Sequence, residues 1–199
     1  MKKLIALAFA ALIQACAFTD ATLDVQHDPS ISFEGPISEA PSTRFLPATL
    51  EDNRSDKARI GWKKNGFGQN TADMTTAEPV TTIISDAIET GLSQNGHHIV
   101  EDGRVKIEGS VDRFWFETDQ NFWTIEFIGD VQCSLAFIDT RTGEVFYQST
   151  YSGSHSEKKG GGLSGTWEAI MSQAVNKLIE DITFDEDLMM ALEALHEGG

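Results

Sequence analysis

Between Trp123 and Phe137 an apolar or small residue falls on every second position: Trp123, Ile125, Phe127, Gly129, Val131, Cys133, Leu135 and Phe137. Thr124, Glu126, Asp130, Gln132 and Ser134 occupy positions between them. A helix turns once in about 3.6 residues and would scatter this pattern over all its faces, whereas a strand puts alternate residues on one face. The segment therefore reads as a long strand with one buried and one wetter face, as antiparallel sheets allow. Its neighbours complete a meander. Asp139-Thr140-Arg141-Thr142-Gly143 is a hairpin turn, and residues 144–155 return as the next strand. On the other side, residues 104–117 place Val105, Ile107, Gly109 and Val111 inward, after which the apolar phase moves to Phe114 and Phe116. A slip of one within a period of two marks a β-bulge, expected near Asp112-Arg113.

Helical spacing appears on both sides of the meander. Val80, Ile84, Ala87, Ile88, Gly91 and Leu92 share one stripe. Thr75 or Thr76 is the expected cap, Glu78 and Pro79 fit the first turn, and Asn95-Gly96 ends the helix. Beyond a glycine-rich loop at residues 157–165, Ser164 can cap a helix striped by Trp167, Ile170, Met171, Ala174, Val175, Leu178 and Ile182. A short amphipathic helix follows at residues 187–195. Short strands are expected at 22–25, 44–50 and 59–63, the last leading into an Asn65-Gly66 turn. The expected fold is α+β: an antiparallel sheet, made of the three-strand meander plus shorter N-terminal strands, with two main helices packed on one face and a short C-terminal helix.

The chain opens with Lys2 and Lys3, followed by the uncharged run LIALAFAALI. That run is too short to cross a hydrocarbon core, which takes about 20 helical residues. It fits the apolar region of a secretory signal. Ile13-Gln14-Ala15-Cys16 then resembles the lipobox of bacterial lipoproteins, where the cysteine is acylated and becomes the first mature residue. The other reading is an ordinary signal cut near Ala15, with Cys16 incidental. The lipobox resemblance implies three acyl chains, more than the two needed for stable anchoring, and Ala17 after the cysteine implies delivery to the outer membrane. Residues 1–15 are then a signal peptide. Residues 16–43, rich in proline and acid, form a lipidated tether or an extended arm on the domain, and 44–199 form one domain.

With Cys16 lipidated, Cys133 has no disulfide partner and reads as a small core hydrophobe. Once Lys2 and Lys3 are removed, 31 acidic residues face 13 basic ones, a net charge of −18. Such a body is repelled by nucleic-acid phosphates and anionic lipid, so no nucleic-acid role is expected.

Candidate sites are few. Gly160 and Gly165 have the spacing of a phosphate-binding loop, but Thr166-Trp167 stands where its lysine and hydroxyl residue belong. Lys158 and Lys159 beside a helix start leave open an anion or partner contact; ordinary glycine punctuation is the alternative. His97-His98 and Asp185-Glu186-Asp187 lack metal-site spacing, and no metal is expected. Trp115, Phe122 and Trp123 cluster about Asp119-Gln120-Asn121, where they either form an exposed interaction site or pack under the arm or the last helix. No nucleophile or metalloprotease signature is present.

Asp52-x-Arg54, Ile60-Gly61, the run KNGFG at 64–68, Thr71-Ala72-Asp73, GLSQNGHHIV, VKIEGSVDRFWFE and STYSGSHSEKK, together with the lipobox, are similar to the YajG-type family of uncharacterised bacterial lipoproteins. The resemblance spans roughly residues 43–183 and implies an envelope lipoprotein. The resulting expectation is a non-enzymatic lipoprotein on the periplasmic face of the bacterial outer membrane. Its membrane contact is the anchor, its only cofactor-like group is the lipid on Cys16, and its partner is another envelope protein. An accessory subunit or carrier that holds a lipid or glycan in a groove between sheet and helices is the alternative.

Overall fold

The computed structural model describes residues 19–120, 124–160 and 164–198. At its centre lies the meander: β7 (Val105–Gln120), β8 (Ile125–Asp139) and β9 (Val145–Lys159), paired antiparallel along nearly their whole lengths. The β7–β8 register shifts between Val111 and Arg113, so the phase slip is a bulge with Asp112 as its extra residue. The bulge is why Val111 and Phe114, three apart, are both buried. Gly143, at φ 76°, closes the β8–β9 turn and its N–H reaches the Asp139 carbonyl at 2.8 Å.

The sheet is mixed rather than purely antiparallel. β2 (Arg44–Phe45), β3 (Thr49–Asp52) and β4 (Gly61–Lys64) lie in succession along the edge of β7 away from β8, all parallel to it. β1 (Ala21–Leu23) runs parallel to β5 (Asn70–Thr76), and β6 (His98–Ile99) parallel to β2. Between β2, β3 and β4 on one side and β7 on the other the chain passes through α1 (Val80–Gln94), a crossover that brings it back in the same direction. Alternation reveals hairpins because they are local. It carries no sign of a crossover.

Three boundaries also differ from expectation. The strand expected over 44–50 is broken at Pro47, which has no N–H for a ladder. Residues 70–76 form β5 by pairing with β4 and β1, and α1 therefore starts at Val80, with Pro79 as its N-cap instead of Thr75 or Thr76. β9 runs through Lys159, four residues beyond the expected strand end, because β8 as far as Ile125 continues to template it.

α1, α2 (Ser164–Thr183) and α3 (Glu186–Glu197) cover one face of the sheet. Phe127, Val131, Cys133, Leu135 and Phe137 of β8 are buried beneath them. Glycines set the separation. A Cβ on Gly153 of β9 would lie 2.1 Å from the Ala174 carbonyl oxygen, and one on Gly91 of α1 would lie 2.5 Å from Ile179. Helix α2 thus rests on the sheet backbone.

The described part of the N-terminal segment is an arm lying on the domain. Beyond β1 it runs beside α2, where the N–H groups of Asp24, Gln26 and Asp28 meet Glu168 Oε1 at 3.3 Å, Ser172 Oγ at 3.3 Å and Asn176 Oδ1 at 3.2 Å. Alternate strand residues and every fourth helix residue advance by nearly the same distance, about 6 to 7 Å. One helix face therefore caps a strand edge in register. Farther along, Ile37 in a 3₁₀ turn (Pro36–Glu39) is fully buried.

Candidate interaction site

Among the described residues no helix covers the other face of the sheet, called the bare face below, and its side chains form rows across the strands. Asp130 of β8 receives Ser154 Oγ from β9 at 2.7 Å and Arg113 Nη2 from β7 at 3.2 Å. Ser134 Oγ donates to Asp112 Oδ2 at 2.6 Å, and Ser110 Oγ and Asn53 Nδ2 bond the other oxygen at 2.8 and 3.2 Å. Partial burial would raise the Asp112 pKa, but these donors outweigh it and hold the carboxyl below its ordinary range. The bulge residue is thus an ionised anchor, tying β3, β7 and β8 together on the bare face.

Beside it, Trp115 of β7 meets Trp62 of β4 edge to face, with centroids 5.0 Å apart and planes at 79°. Both indoles are half-buried. They wall a groove of about 470 Å³ whose rim carries Asp56, Asp112, Arg113 and Gln132. The connection from β3 to β4 forms one side, clipped in place by Arg54. Its guanidinium pairs both Asp52 oxygens at 2.9 Å and donates to the Arg59 carbonyl at 2.9 Å. Burial acts to raise the Asp52 pKa, and the Arg54 bonds more than reverse it. Gly61 lets β4 come close: a Cβ there would sit 2.4 Å from the Phe116 carbonyl oxygen.

Of the three aromatics singled out from sequence, Trp115 belongs to this groove; Phe122 and Trp123 lie outside the described residues, as does Cys16. Trp62 was missed, because a strand of four residues is too short for alternation to assign its face. Lys158 and Lys159 do not converge on a free anion site. Lys158 Nζ lies 3.5 Å from Glu126, and Lys159 Nζ 2.6 Å from Glu157. Cys133 is fully buried, and burial, with Asp112 and Asp181 nearby, pushes its thiol up to about 12, which leaves it unreactive. His97 is buried and bonded at both nitrogens: Thr43 N–H donates to Nδ1 at 3.2 Å, so Nε2 carries the proton and donates to the Ile37 carbonyl at 3.1 Å. It latches the arm rather than presenting a metal ligand.

Charge is segregated by layer. The arm and helical layer, residues 19–43, 78–97 and 164–198, hold 16 acidic residues and one basic, Lys177. The sheet and its connections, residues 44–77 and 98–160, hold 15 acidic and 12 basic. The bare face therefore belongs to the nearly balanced side, where a partner meets little long-range repulsion.

A family model described as an uncharacterized lipoprotein matches residues 42–193. Among solved structures, protein XCC0632 of Xanthomonas campestris superposes with a TM-score of 0.57 at 12% identity, over 89% of this chain and 98% of that one. Protein CT253 of Chlamydia trachomatis gives 0.48 at 10%, over 77% and 99%. Lipoprotein GNA1162 of Neisseria meningitidis gives 0.27 at 14%, over 68% and 96%. At 12% identity the likeness to XCC0632 is one of fold alone. No curated protein matches the chain. Among the described residues, no helix is long and apolar enough to cross a membrane.

Proposed function

The chain belongs to the YajG family of uncharacterized lipoproteins, and from that premise we propose that it is anchored through lipid on Cys16 to the outer membrane and binds another cell-envelope protein on the bare face of its sheet. The observation that carries this reading is the paired indoles of Trp62 and Trp115 in a polar-rimmed groove on the face of the sheet that no helix covers among the described residues. Half-buried aromatics on an otherwise hydrated face are the usual anchors of protein interfaces. The domain acts by binding, and its acidic helical layer turns away from partner and anionic lipid alike. The alternative of a lipid or glycan held between sheet and helices has less support, since Gly129 and Gly153 bring α2 into contact with the strands there.

A photo-crosslinking residue at Gln132, in the groove, tests the reading in living cells. The expected adduct is one specific envelope protein, reduced at least tenfold by Trp62→Ala or Trp115→Ala. Cys16→Ser is expected to release the chain from the membrane fraction and to lower the same adduct. Absence of a specific adduct from Gln132 in the membrane-anchored protein would overturn the proposal.

A further inference from the structure

The two long borders of this sheet are treated differently. At the β1 border, the N–H groups of Asp24, Gln26 and Asp28 are all accepted by side chains of α2. At the other border stands β9, fifteen residues long, whose one strand partner among the described residues is β8. Its odd residues, such as Tyr151 opposite Cys133, turn their backbone groups toward β8, and its even residues turn theirs outward. The direction is fixed by Ser152, whose N–H leaves the ladder and reaches Asp181 Oδ2 on α2 at 2.9 Å. Among the described residues nothing else takes the outward N–H groups of Gln148, Thr150, Ser154 and Ser156, and all four side chains are exposed.

Proteins ordinarily blunt a long edge with proline, an inward charge, a bulge or a covering element. Between Gln148 and Ser156 the described residues give β9 none of these apart from the single Asp181 contact, and its register with β8 there is unbroken. We infer that β9 is a template for an extended segment of the envelope partner, which adds to the sheet as a further strand. This rests on the docking reading above and names how the partner is held: backbone bonds at the edge, with the Trp62–Trp115 groove on the same face. Trp115, Asp130 and Ser154 form one row across β7, β8 and β9, so groove and edge are parts of a single surface.

Charge selects the occupant. Two copies joined antiparallel through β9 would set their helical layers side by side on one face, and that layer, residues 78–97 and 164–198, carries 11 acidic residues against Lys177. A partner strand with Lys or Arg on its helix-side positions instead meets Asp181, which would trade its bond to Ser152 for an ion pair.

The test uses the full lipidated chain in cells, with photo-crosslinkers at Gln148, Thr150, Ser154 and Ser156 in turn. Support is adducts to one contiguous segment of one protein, the attachment points advancing by two residues for each step of two along β9. Gln148→Pro and Ser156→Pro remove an outward N–H and no bond to β8; each should lower the Gln132 adduct at least tenfold while the protein stays folded. Hydrogen exchange probes the edge without any substitution. In purified protein the amides of Gln148, Thr150, Ser154 and Ser156 should exchange at least a hundredfold faster than the odd ones of β9, and they should slow in the isolated adduct. Undiminished Gln132 adducts in both folded proline variants would overturn the strand inference and leave the docking reading standing. Adducts to a second copy of this chain, or protection of the Gln148, Thr150, Ser154 and Ser156 amides already in purified monomer, would also overturn it. No adduct from Gln132 or the edge would remove both.

Discussion

Replacing Gly153 by alanine tests how closely the helical layer is set by one position. A Cβ there would lie 2.1 Å from the Ala174 carbonyl oxygen and 2.3 Å from the Leu178 nitrogen, both helix backbone that no rotamer change can clear. Restoring ordinary contact requires α2 to lift from the sheet by about 1 Å, and a gap of that size forfeits roughly a quarter to a half of the dispersion attraction across it. Ile170, Met171, Val175 and Leu178, within two turns of the contact, are all buried, each worth about 1.5–3 kcal/mol when fully withdrawn from water. A quarter of that burial is about 2 kcal/mol, inside the range of about 1–3 kcal/mol found for overpacked cores. Gly160→Ala is the control, because nothing lies within 4 Å of the Cβ it would add. Urea unfolding followed by tryptophan fluorescence should show the Gly153→Ala protein losing about 2 kcal/mol through a lower midpoint with the slope unchanged, and the control within about 0.5 kcal/mol of wild type. A loss below about 1 kcal/mol for Gly153→Ala would show that α2 does not rest on the sheet backbone as described.

Two further outcomes follow from buried titratable groups. Desolvation depresses the His97 pKa, helped by nearby His98 and His196, and the Ile37 carbonyl only partly opposes it. The unfolded chain then binds the proton first, so the stability His97 contributes is present above about pH 6.5 and is lost as pH falls below it. The unfolding midpoint should decline between about pH 6.5 and 5 in wild type and much less in His97→Gln; equal slopes would refute the assignment. The chain has only two tyrosines, Tyr147 and Tyr151, and their hydroxyls donate to the same Asp185 oxygen at 2.7 and 2.6 Å. Desolvation first, then the Asp185 bond and charge, push Tyr147 up to about 12 and Tyr151 further the same way. Ultraviolet titration of the native protein should therefore show no phenolate near pH 10, where free tyrosine ionises. Asp185→Ala should bring Tyr147 back toward that value and, by also removing the α3 cap on Leu188 N–H, cost about 2–3 kcal/mol.

The meander, its bulge and the stripes of α1 and α2 are legible in the sequence, because each is a local period read over many residues. What escaped is non-local. β5 carries one buried apolar residue, Met74, and becomes a strand through β4 and β1 rather than through its own pattern. Glu168, Ser172 and Asn176 cap the arm, a role visible only once residues about 145 apart are brought together. Trp115 was legible as a candidate, whereas its partner Trp62 was not, since the parallel contact of β4 with β7 follows from the crossover through α1.

β9 is the element whose sequence and position explain each other. Its outward residues from Gln148 to Ser156 are glutamine, threonine and serine, which makes it a weak strand by composition. It is held extended by β8 on one side and, through Gly153, by α2 beneath. An apolar edge of this length would invite indiscriminate pairing, and a prolyl or charged one would forbid pairing altogether. Small polar side chains do neither. They leave the backbone groups accessible but give an incoming strand no apolar reward of its own, so a stable addition needs further contacts elsewhere on the same face. The groove at Trp62 and Trp115, in the same surface, is where those contacts are available. Selectivity then comes from requiring both features in one partner, and each should bind weakly without the other.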